Sequence, residues 1–130
     1  SIHPNDDYEL FCKNNIENEK IKALSMFIVN LMHKNIIEQA KVIELINNLV
    51  IKFNENVNVE NKTDFINEIF ENLFILLSES YDNLSQGSNT EYNLIYTNIV
   101  KISKLKSKDN VSLNSKTLFK IMDLIDLLDS

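Results

Sequence analysis

The residues best placed to do chemistry in this chain are lysines: Lys101, Lys104, Lys106 and Lys108, followed by Lys116 and Lys120. In an otherwise acidic sequence they form the one concentrated positive patch, suited to drawing in an acidic or phosphate-bearing partner and not to breaking bonds. Lysines near a helix C-terminus also complement the helix dipole, at about 0.3–1 kcal/mol each. That local role accounts for the first two better than for the rest. Lys104, Lys106, Lys108, Lys116 and Lys120 are therefore the candidate partner-binding residues.

Other reactive side chains lack partners at useful spacings. Asp123 and Asp126 lie one helical turn apart and could converge with Glu68 or Glu71 of another helix. They alternate with apolar positions as a solvated helix face does, however, and no nucleophile accompanies them. His3 and His33 have no Cys, Asp or Glu at a metal-ligand spacing, and His33, near a helix end, suits a dipole interaction. With a single glycine, Gly87, no phosphate-cradling glycine loop can be assembled. Tyr92 and Tyr96 make an i, i+4 helical pair before they make a base-stacking platform. The sequence thus points away from an enzyme, with no catalytic residue, metal ligand or cofactor.

Length and composition set the frame. At 130 residues and 44% hydrophobic the chain is one domain, able to bury roughly two thirds of its unfolded surface. The lone Cys12 cannot form an intramolecular disulfide and reads as a small apolar filler, as in a reducing compartment. No run approaches the roughly 18 apolar residues of a membrane span, and no signal segment opens the chain, so a cytoplasmic location is expected. The net charge is −6 and arginine is absent, which disfavours sequence-specific nucleic-acid recognition. Any RNA contact rests on local lysines and should be weak. Heavy use of Asn, Ile and Lys suggests an AT-rich source such as a large DNA virus or a protist.

The lysines must be positioned by helices, because apolar spacing is helical almost throughout and Gly and Pro are nearly missing. Residues 1–18 form a lead-in with an apolar knot at Tyr8, Leu10, Phe11 and Cys12. Residues 19–130 form a single helical domain. The first main helix runs from about Glu19 to Lys34, burying Ile21, Leu24, Ile28, Leu31 and Met32. The second, about Ile37 to Asn54, buries Ala40, Ile43, Ile46, Leu49, Val50 and Phe53. After a polar gap, the most apolar helix starts near Thr63 with Phe65, Ile66, Ile69, Phe70, Leu73, Phe74, Leu76 and Leu77. A fourth opens after Gly87 with Ser88 and Glu91 in capping-box spacing and presents Tyr92, Ile95, Tyr96, Ile99, Val100 and Ile102. Asn114 or Ser115 caps the fifth, which packs through Leu118, Phe119, Ile121, Met122, Ile125 and Leu128. About five helices with short links predict an all-α stack of antiparallel hairpins, the first helix paired with the second and the third with the fourth.

Three segments carry a family resemblance over roughly residues 19–128. Glu19 to Glu38, with Phe27, Ile28 and Leu31 and then Ile36 and Ile37 after a turn, is similar to a helix of the middle domain of eukaryotic translation initiation factor 4 gamma. Phe70 to Leu84 resembles that domain's leucine-rich helix. Lys116 to Leu128 resembles its closing helix, the match lying on Phe119, Asp123, Asp126 and Leu127. The order and spacing of the three agree. The chain departs from the pattern at Val29 and Asn30, which replace Gly-Glu, and at Leu128, which replaces Arg; it looks like a divergent or viral member.

The resemblance implies HEAT-like repeats in a translation initiation scaffold that binds a DEAD-box RNA helicase of the initiation-factor type and supports assembly of the mRNA-binding initiation complex. Other initiation factors and a weak RNA contact are its further expected partners, with no membrane. A second reading stays open: a viral Bcl-2-like bundle regulating host death or immune signalling, with the Phe65–Leu77 helix at its centre. The two differ in packing, since hairpins touching only their neighbours mark the scaffold and a helix surrounded on all sides marks the regulator.

Overall fold

A computed structural model describes residues 25–36, 38–85 and 90–130. Among these the chain is all-helical, with no strand. The elements are α1 (25–33), α2 (Gln39–Asn56), α3 (Thr63–Leu84), α4 (Thr90–Ser103), a short 3₁₀ turn (Ser107–Asp109) and α5 (Ser115–Asp129). The lead-in, Cys12, His3, Ile21, Leu24, Ile37 and the Ser88 half of the capping box lie outside the described residues.

Local chemistry ends α1 where the sequence suggests. Asn35 adopts a left-handed conformation (φ 58), which Asn tolerates better than other non-glycine residues. Its N–H donates to the Met32 carbonyl at 2.9 Å, and the Ile36 N–H donates to Leu31 at 2.8 Å. This paired closure satisfies two of the carbonyls that a helix end leaves open. Asn61 (φ 63) plays the same conformational part in the link between α2 and α3.

Two antiparallel hairpins stack to make the core. α2 packs on α3 and α4 on α5; across the hairpins α3 lies on α5, and α2 lies less closely on α4. The start of α2 meets the end of α3 where the Gln39 side chain donates to the Asn83 carbonyl at 3.0 Å. By contrast α3 and α5 run parallel: Asn67 meets Thr117, Phe74 meets Lys120, and Tyr81 meets Ser130. The result is two layers, α2 with α4 and α3 with α5, as in stacked helical repeats. The expected pairing of the third helix with the fourth is thus corrected. α3 and α4 meet at the Tyr81–Tyr92 edge contact, with centroids 6.3 Å apart, but their long partners are α2 and α5. Residues 57–62 link α2 to α3, which lie side by side, whereas α4 lies diagonally across the stack from α3.

α3 is the most buried element. Ile66, Ile69, Phe70, Leu73, Leu76, Leu77, Ser80 and Leu84 form its inner face, and the Phe70 ring sets its edge against Phe53 of α2 at 5.9 Å. α1 adds a third neighbour: the Ser25 hydroxyl donates to Asn72 Oδ1 at 2.9 Å, both residues buried. The exposed residues of α3 lie at its two ends, Asp64 and Phe65 at the first and Glu79, Asp82 and Asn83 at the last, and residues 66–78 are buried or half-buried throughout.

Several residues expected in the core are not there. Phe119 is 66% and Met122 59% exposed, because the buried face of α5 is Thr117, Ile121, Leu124 and Leu128. Phe65 and Ala40 are exposed as well. Val29 and Val42 take inner positions that the sequence reading passed over.

Candidate functional site

The five candidate lysines divide into two sets. Lys104, Lys106 and Lys108 are exposed on the connection between α4 and α5. This connection is held by short-range bonds: the Leu105 N–H donates to Ile102, and Asp109 and the Asn110 side chain both donate to the Lys106 carbonyl, at 3.1 and 3.0 Å. Its three ammonium groups project from a backbone whose course is fixed.

The fixing extends to the neighbouring hairpin. Ser112, 1% exposed, donates its N–H to the Val57 carbonyl at 3.0 Å and its hydroxyl to the Val59 carbonyl, and accepts the Lys62 N–H at 3.1 Å. The Val111 N–H donates to Asn58 Oδ1 at 3.1 Å. One loop therefore staples the other, and Lys62 is brought to the same end of the molecule as Lys104, Lys106 and Lys108. The sequence reading missed Lys62, which stands alone in its own segment; no local spacing could have joined it to lysines some forty or more positions away.

Lys116 and Lys120 face α3. Asn114 caps α5 by accepting the Thr117 N–H at 3.1 Å, which sets the first turn of α5 against Asn67, whose Oδ1 accepts the Thr117 hydroxyl. Lys116 Nζ then lies 4.0 Å from Glu71 Oε1, and Lys120 Nζ stands 4.7 Å from the centre of the Phe74 ring. A cleft of about 180 Å³ separates them, lined also by Phe70 and Thr117. Lys116 is largely exposed, but Lys120 is half-buried on an aromatic face, so it acts partly as a packing residue. Lys106, Lys108, Lys116 and Lys120 are the lysines expected to be largely exposed; the first three are, and Lys120 is half-buried.

The remaining candidates are placed as follows. Asp123 and Asp126 are exposed on the outward side of α5, opposite the face that packs on α3, while Glu71 is beside Lys116. His33 is exposed at the end of α1. Tyr92 and Tyr96 are half-buried, with Tyr92 against Tyr81 and the Tyr96 hydroxyl donating to Asp129 Oδ1. Burial and then the neighbouring Tyr81 and Asp129 push the Tyr92 hydroxyl above its ordinary pKa; for Tyr96 the hydrogen bond to Asp129 is the largest cause of the rise. Among the described residues no three His, Cys, Asp or Glu side chains gather as a metal site, and no helix is long and apolar enough to cross a membrane. Comparison with family models, with curated proteins and with solved structures returns no match.

Proposed function

We propose that the chain is a non-enzymatic scaffold of translation initiation, holding a DEAD-box RNA helicase of the initiation-factor type through the lysine edge at the junction of α4 and α5. The observation that carries this reading is the two-layer stack itself. Its second hairpin ends in the segment that resembles the closing helix of the initiation factor 4 gamma middle domain, and the lysines stand beside that helix. A rigid, exposed and positively charged edge suits steering onto an acidic partner face. Residues 66–78 of α3 are enclosed, as the central helix of a Bcl-2-like regulator would be; what favours the scaffold is the order and spacing of the three resembling segments.

The test measures binding and ATPase stimulation of an initiation-factor-type helicase by the parent chain and by Lys104→Glu, Lys106→Glu and Lys108→Glu combined. These three are exposed, so circular dichroism should be unchanged. Association should slow about tenfold or more at low salt, with the difference shrinking as salt is raised. Lys116→Glu is kept apart because it would set a second carboxylate against Glu71. Equal binding by parent and triple variant would remove the edge from the interface. No binding by either would remove the helicase.

A further inference from the structure

The looser of the two interfaces between hairpins leaves a groove between α2 and α4, about 590 Å³ in volume. It lies in the layer opposite Lys116 and Lys120. Its floor includes Ile43 and Val50, and two large apolar side chains stand on its walls facing water: Ile51, 53% exposed, from α2, and Leu94, 60% exposed, from α4. Asn47, Asn48 and Asn98 supply amide groups along it. Burying a leucine and an isoleucine against a partner is favourable at about 25 cal/mol per Å². The amides can hydrogen-bond to whatever polar edge lies beside them.

Charge along the rim is uneven. At the end nearest the N-termini of α2 and α4, Glu44 and Glu91 stand on opposite walls. Lys41 reaches Glu44 at 3.7 Å, but both side chains are more than half exposed, and such pairs are easily exchanged. Further along, one turn past Ile51 and two turns past Leu94, Glu55 and Lys101 are exposed with opposite signs. The net charge of the rim is thus negative and concentrated at the Glu44–Glu91 end.

We propose that this groove docks an amphipathic helix from another protein, with apolar side chains at i, i+3/i+4 spacing seated between Ile51 and Leu94 and basic residues at the end that meets Glu44 and Glu91. A helix is favoured because the groove runs between two parallel helices, and α2 at 18 residues offers about 27 Å of length. Grooves of this kind are read by the i, i+3, i+4, i+7 anchors of a partner helix. The site is separate from the lysine edge, so the chain can bridge two partners at once.

The experiment presents the whole chain to a displayed library of helices of about 16 residues, with a fixed apolar stripe and randomised polar positions. Lys and Arg should be enriched at one end of the stripe. The enriched peptides should lose at least about tenfold in affinity for Ile51→Asp and for Leu94→Asp, and keep their affinity for Phe119→Asp, an exposed control on α5. Glu44→Lys with Glu91→Lys should shift selection to acidic peptides. A photo-crosslinking side chain at position 94 should attach to the peptide. No enrichment, enrichment without basic residues, or unchanged binding to the two Asp variants would overturn the proposal. So would a crosslink to a second copy or to the chain's own residues that the peptide does not displace.

Discussion

At the scale of single residues, Ser112 does more than any charged group. One hydroxyl and its own N–H satisfy three backbone groups of the facing loop, and the residue is buried. Ser112→Ala leaves the Lys62 N–H and the Val59 carbonyl short of a partner, so chemical denaturation should show a loss of about 1–3 kcal/mol. Thr at the same position, which keeps the hydroxyl, should recover part of it. Tyr96 gives a second expectation, read through pH. Its hydroxyl is held protonated by the bond to Asp129, and Tyr92 by burial, so both folded-state pKa values exceed the ordinary 10.0. A raised pKa contributes stability that is fully present below the unfolded value and is lost as pH rises through the folded one. Stability should therefore fall above about pH 10, and tyrosinate absorbance should develop late. Tyr96→Phe and Tyr92→Phe should each remove part of the late-titrating signal; an unchanged absorbance curve would show that these tyrosines do not titrate late.

At the scale of elements, α3 and α5 respond differently to the same kind of truncation. Leu76 is fully buried, and Leu76→Ala should cost about 2–5 kcal/mol through lost burial and the cavity left behind. Phe119 lies in an equally apolar stretch, yet Phe119→Ala should change stability by no more than about 0.5 kcal/mol, because the ring is already in water. Melting curves of the two variants decide this. The contrast also marks where sequence reading worked. The periodicity of α3 is clear, with Ile66, Ile69, Phe70, Leu73, Leu76 and Leu77 inside and Phe65, at the first turn, the one member of the expected stripe that is exposed. In α5 apolar residues occupy more than one face, so 3.6-residue spacing identifies a helix without saying which stripe turns inward. Phe119 and Met122 were misassigned for that reason, and their exposure gives α5 an apolar outer strip beside Asp123 and Asp126.

At the scale of the whole molecule, the helical class and the hairpin stack were legible, but the partner of each helix was not. Links of similar length join α2 to α3 and α3 to α4, and nothing local tells a tight reversal from a diagonal crossing. The lysine edge was legible in part for the same reason: Lys104, Lys106 and Lys108 are neighbours in sequence, whereas Lys62 arrives only through the Ser112 staple. The bonds between hairpins confirm how far such arrivals reach. Those joining α3 to α5, and one connecting loop to the other, span 49 to 55 residues. That separation matters while the chain is being made. At about 5–20 residues per second on a ribosome, the strip of α3 that α5 will cover waits roughly 3–10 s for its partner. For that interval the growing chain carries a long apolar helix with one side bare, which is the form most exposed to chaperone capture or to sticking to its neighbours on the same message.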